Sequence, residues 1–171
     1  YGNNKPKYIR YGIYAVILVL TAILQNSKGG MPEIFGARAF LLLPACVSIA
    51  MFEREIAAAV FSVFAGILWD VSLGSDGFNA FLLLLICAAC SLLISHFMRN
   101  NILTALVLGA GSVAIYNIIY VIINLIADGA GISVKQLFTF YLPSSVYTLI
   151  FVPIFYFLTS WVFDSHKTAD E

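Results

Sequence analysis

An all-helical, polytopic membrane protein is the fold class that this 171-residue sequence predicts, on three observations. Hydrophobic residues make up 61% of the chain and charged residues only 11%, against about 45–50% and about 25% in soluble domains. The apolar residues gather into six runs, on the scale of the roughly 20 residues that a bilayer core demands. Glycine, asparagine and charge collect in the breaks between them. The remaining tails and loops fall short of the roughly 50 contiguous residues that a separate soluble domain needs, so residues 1–171 are expected to form one transmembrane domain. This composition excludes soluble enzymes, nucleic-acid readers and disordered scaffolds. Nine basic residues balance nine acidic ones, so no global field points to a nucleic-acid or lipid-headgroup partner, and the lipid bilayer is expected as the surroundings on composition alone.

The first span covers about Tyr8 to Gln25, after Lys5, Lys7 and Arg10. A signal peptide has a shorter apolar run and a small-residue cleavage site. This run closes instead on Gln25-Asn26-Ser27-Lys28-Gly29-Gly30, so a retained span is expected. Because the chain opens at Tyr1 rather than methionine, a few native residues are expected before it. The second span covers about Phe35 to Phe52 and is closed by Glu53-Arg54-Glu55, a charged turn unsuited to hydrocarbon. The third covers about Ile56 to Leu73 and stops at the turn signature Gly74-Ser75-Asp76-Gly77. The fourth runs from Phe78 to Met98, before Arg99-Asn100-Asn101, and the fifth from Ile102 to Ala127, before Asp128-Gly129. The last apolar stretch, Ile132 to Phe163, would be about 48 Å long as one helix at 1.5 Å per residue, against a core of about 30 Å. It should divide at Pro143, since proline suits the first turn of a helix and not its middle. Leu137 to Leu142 would then follow the interface, and Ser144 to Phe163 would span.

Lysine and arginine set the orientation. With the N-terminus in the cytoplasm, Lys5, Lys7, Arg10, Arg54, Arg99 and Lys167 lie inside, and only Lys28, Arg38 and Lys135 lie outside. An even number of spans returns the C-terminus to the cytoplasm. Tyr8, Tyr11, Phe97 and Trp161 then mark the inner interface, and Trp69, Phe78 and Tyr141 the outer one, as amphipathic rings prefer.

The third span carries Ala58, Ser62, Gly66 and Asp70 at four-residue intervals, one narrow stripe of the kind that lets another backbone approach in lipid. Asp70 lies 14 residues beyond Ile56, about 21 Å along the helix, and is expected to be submerged. An intramembrane carboxylate is costly unless paired or protonated. Its plain reading is a structural group at a helix junction; the sharper one is a ligand or proton-relay site. Arg38 and Asp70 stand 16 residues either side of Arg54, so a tight hairpin would bring them to equal depth and pair them. On the fifth span Tyr116, Asn117, Tyr120 and Asn124 share a face. Asparagine there bonds a neighbouring helix more often than a ligand. Cys87, Ala88, Ser91 and Ser95 on the fourth span, and Ser145, Thr148, Thr159 and Ser160 on the sixth, offer further weakly polar faces for a common interior. Pro153 should kink the sixth. Cys46, Cys87 and Cys90 read as small buried hydrophobes despite the C-x-x-C spacing of the last two. His96 and His166 stand far apart, and no nucleophile–base set, phosphate loop or metal-ligand cluster is visible. No catalytic residue, metal or cofactor is expected.

The run Gly66-Ile67-Leu68-Trp69-Asp70, followed by Leu73-Gly74-Ser75-Asp76-Gly77-Phe78-Asn79-Ala80, resembles the rod shape-determining MreD family. That family's third helix is glycine-rich and ends in an aspartate, before a short turn of the form Gly-Leu-Asn-Ala. Leu24-Gln25-Asn26-Ser27 is similar to the ending of its first helix, and Leu142-Pro143-Ser144-Ser145 with Pro153 resembles its last. Two features depart from the pattern: Phe78 stands where leucine is common, and Pro44 sits within the second span rather than opening it. The resemblance implies a non-enzymatic subunit of the bacterial elongation machinery in the inner membrane. Its partner would be the bitopic protein MreC, with RodA, a penicillin-binding transpeptidase and MreB in the larger complex. It also implies a fold similar to the substrate-binding S components of vitamin transporters, which supplies the rival reading. An S component should carry an Ala-x-x-x-Ala face on its first helix, but Leu18 is the residue four before Ala22, and Ala15 is followed four later by Val19. An unrelated assembly subunit is the third reading.

The pairing of Asp70 with Arg38 is tested by a double-mutant cycle on melting in detergent. Asp70→Ala alone should cost about 3–5 kcal/mol by stranding a buried charge, and removing both charges should restore much of that. Additive effects, with coupling under about 0.5 kcal/mol, would refute the pair.

Overall fold

The computed structural model describes residues 5–27, 40–74, 77–97, 99–128 and 142–166. Within them the chain forms six helices: α1 Lys5–Asn26, α2 Leu42–Phe52, α3 Glu55–Leu73, α4 Phe78–His96, α5 Ile102–Asp128 and α6 Leu142–Ser165. All but α2 are long and apolar enough to cross a membrane. This is a multi-pass membrane protein. Its surface is inverted relative to a soluble domain: Val16, Leu20, Val107, Ile118, Phe157 and Trp161 are exposed, while Arg10, Ser62, Asp70 and Asn79 are buried. Lipid-facing positions need no polar cover, and polar groups find partners only inside the bundle.

The second span departs most from the expectation of Phe35 to Phe52. As a helix it has 11 residues, about 16 Å at 1.5 Å per residue, half of a core of about 30 Å. Pro44 is the reason. A helix running on from Phe35 would place its ring against the carbonyl of Phe40 and ask it for an N–H it lacks. Starting at Leu42 puts Pro44 in the first turn, where no N–H is required. Pro44 therefore opens the helix, contrary to the register read from sequence.

Every residue of α2 from Leu42 to Met51 is buried, the pattern of a helix surrounded on all sides. Such a helix brings its unpaired end groups into the interior, where each costs several kcal/mol if left alone. Neighbouring elements supply the partners. Gln25 of α1 accepts the Leu42 N–H through Oε1 at 2.9 Å, and Thr148 of α6 accepts the Phe40 N–H at 3.0 Å. At the opposite end, Asn100 of the α4–α5 turn donates Nδ2 to the Met51 carbonyl at 3.1 Å.

Next to that end lies a buried ion pair. Arg10 Nε of α1 stands 2.7 Å from Glu53 Oε1, and the two side chains are 0% and 2% exposed. Nη2 donates to Oε2 at 3.2 Å, and the guanidinium sits 4.7 Å from the centre of the Phe163 ring of α6. The pair thus joins α1, the α2–α3 turn and the end of α6. It also sets a cation near the negative C-terminal end of α2. The sequence reading counted Arg10 among charges flanking a span and Glu53 in a charged turn. Both lie inside the protein, because each finds the other across 43 residues of chain.

Glu53→Ala should therefore strand a fully buried guanidinium and cost about 3–5 kcal/mol in detergent unfolding, whereas the double change Arg10→Met with Glu53→Leu should recover most of that loss. A double variant as unstable as the single one would show that packing, not charge pairing, holds this end.

Candidate functional site

The stripe on α3 meets α4 at the start of the latter. Ala58, Ser62, Gly66 and Asp70 are all buried. At Gly66 the two backbones touch: an added Cβ would run into Ala80 Cα and lie 2.7 Å from Ala80 N. This approach is made possible by the α3–α4 turn, where Gly74 and Gly77 hold φ of 67° and 83°, a region that L side chains rarely adopt. Gly77 precedes the first residue of α4 and has no side chain with which to cap it. Asp70 serves in its place from the neighbouring helix. Its Oδ1 accepts the Asn79 N–H at 3.1 Å and Asn79 Nδ2 at 2.9 Å, and its Oδ2 accepts the Ala80 N–H at 2.9 Å. A carboxylate at the positive end of a helix, bonded to N–H groups of the first turn, is well placed electrostatically.

The network extends to α5. Asn79 Oδ1 accepts the Tyr116 hydroxyl at 2.8 Å. The Tyr116 ring lies parallel to Trp69, with centroids 5.2 Å apart and planes 10° from parallel, and Tyr120 stacks on Tyr116 with centroids 6.2 Å apart. Phe40 closes the cluster at 5.6 Å from Trp69 and 5.4 Å from Tyr116. Asp70, Asn79, Tyr116 and Trp69 therefore form a ring of contacts through α3, α4 and α5. Trp69 was expected at the outer interface, but it is only 2% exposed. Stacking on Tyr116 gives its ring faces partners inside the bundle.

The other candidates lie elsewhere. Ser62 donates to the Ala59 carbonyl one turn back, at 2.8 Å, and contributes its small size rather than a bond across helices. Asn117 donates to Ser145 Oγ at 2.6 Å and ties α5 to α6. Pro143 occupies the first turn of α6. Arg38, Tyr141 and the side chain of Asn124 lie outside the described residues, as does the expected interfacial stretch Leu137 to Leu142 except for Leu142, which begins α6. The cysteines are buried free thiols, and Cys90 Sγ lies 3.5 Å from Ser112 Oγ. Among the described residues no group of three histidines, cysteines or carboxylates stands together. Sequence reasoning did not foresee Ala80 and Tyr116 as partners in the Asp70 network, nor Gln25 and Asn100 as caps. The only signal available for the caps was a long polar side chain at the edge of an apolar run.

Residues 7–161 of the chain match the family described as rod shape-determining protein MreD. The chain belongs to the MreD family. No curated protein and no solved structure matches it. MreD membership fits a rod-shape-determining membrane protein, and the motif that carried the resemblance in the sequence is the one that builds the Asp70 network.

The Gly66 contact gives a sharp test. Gly66→Ala should cost about 3 kcal/mol or more, as expected for forcing a methyl into a filled site. Ala80→Gly should fail to rescue it, because the obstacle is Ala80 backbone. Gly12→Ala, which meets nothing within 4 Å, should leave the melting temperature unchanged or slightly raised. Rescue by Ala80→Gly would mean that the helices are further apart than described.

Proposed function

We propose that this MreD-family chain is a non-enzymatic subunit of the cell-elongation machinery in the bacterial cytoplasmic membrane, with both termini in the cytoplasm. It acts by docking the bitopic partner MreC through helix–helix packing, within a complex that includes RodA, a penicillin-binding transpeptidase and MreB. The observation that carries this reading is the use to which the buried polar groups are put. Asp70 holds the start of α4, Asn79 holds Tyr116, and Asn117 holds Ser145, so each fastens one helix to another. A rigid bundle of this kind offers partners a fixed set of lipid-facing surfaces. Family membership supports a rod-shape-determining role.

Depletion in the source bacterium should turn rods into spheres while uptake of vitamins continues at its normal rate. Purification of the native complex should recover a bitopic protein with a periplasmic coiled coil. Normal cell shape with loss of uptake of one vitamin, or recovery of an ATPase pair, would overturn the proposal in favour of a transporter S component.

A further inference from the structure

Between α1 and α3, at the end of the bundle that carries the Arg10–Glu53 pair, lies a groove of about 450 Å³. Its mouth holds Lys7 and Arg54, and its wall is built by Tyr11, Ile56, Val60 and Phe61. Ile56 and Val60 are 81% and 62% exposed, so the wall opens sideways toward the hydrocarbon rather than into the protein. Two carboxylates also border it, Glu53 and Glu55. Glu53 is neutralised by Arg10 at 2.7 Å, which leaves two cations against the single carboxylate of Glu55. Arg54 is exposed at the start of α3. The first helical bond of α3 runs from the Ala58 N–H to the Arg54 carbonyl, and the earlier N–H groups add positive potential at the same mouth.

A cleft that is cationic at the headgroup end and apolar along its length, open to the bilayer, matches one kind of molecule. We propose that the α1–α3 groove seats one anionic phospholipid, with its phosphate between Lys7 and Arg54 and an acyl chain along Ile56, Val60 and Phe61. With the orientation proposed above, the lipid belongs to the cytoplasmic leaflet, where juxtamembrane basic residues attract anionic headgroups. The lipid would complete the α1–α3 boundary next to the buried ion pair.

The test is native mass spectrometry of the intact protein in detergent with equal amounts of phosphatidylglycerol and phosphatidylcholine. Phosphatidylglycerol should be retained about tenfold better, and Lys7→Gln with Arg54→Gln should abolish that preference. Val60→Trp, which fills the groove at a largely exposed position and keeps both charges, should lose the lipid as well. Arg99→Gln, on the exposed α4–α5 turn of the same end, should retain it. Thermal unfolding of all three variants should match the parent, so that lipid loss is not mistaken for misfolding. Equal retention of the two lipids, retention by Val60→Trp, or equal loss with Arg99→Gln would overturn the proposal. So would a photocrosslinker at Val60 that captures a protein chain in the membrane rather than lipid.

Discussion

Hydrocarbon offers no hydrogen bonds, and the architecture of this bundle follows from where its helices end relative to that medium. A helix that crosses the bilayer leaves its terminal N–H and C=O groups in water or among headgroups. A helix that stops inside must be finished by its neighbours. The 11-residue α2 is the prime case, with Gln25, Thr148 and Asn100 at its two ends. The start of α4, buried against α3, likewise takes a side-chain partner from its neighbour, Asp70. These side chains reach from α1, α3, α6 and the α4–α5 turn, so the bonds that complete the short elements are also those that fix the positions of the long ones.

The two ends of the bundle meet this demand differently. Near Glu53 the solution is ionic: a guanidinium and a carboxylate, both buried, lie under an aromatic ring. Near Asp70 the described contacts are N–H groups donating to a carboxylate, backed by a stack of aromatic faces. The first depends on two charges remaining matched. The second depends on the register of α3 against α4, which Gly66 sets by letting the backbones touch.

Much of this was legible in the sequence where the signal was local. Five of the helices announce themselves as long apolar runs closed by glycine, asparagine or charge. The four-residue spacing of Ala58, Ser62, Gly66 and Asp70 placed them on one face without any structure. What escaped was whatever depends on facing or on distant pairing. Hydropathy treats Pro44 as one more apolar residue and so carried the helix through Phe40 and Leu41, which lie outside it. It assigns Arg10 and Glu53 to the water side because it scores each charge alone. Nor does it reveal that Trp69 faces Tyr116 across the bundle. Asn79 stood out through its place in a motif, yet its bond to Tyr116 spans 37 residues and two helices, and no local pattern encodes it.

The caging of α2 has a consequence for biogenesis. Phe40 and Leu42 enter the membrane early in synthesis, but Thr148, which accepts the Phe40 N–H, lies 108 residues later in the chain. Until α6 arrives, the N-terminal end of α2 lacks one of its acceptors and one of its walls. Of the elements that pack against α2, α1 and α3 are made well before α6. Closure of the bundle is thereby coupled to the last span, and a chain that stops short of α6 leaves the Phe40 N–H without this acceptor.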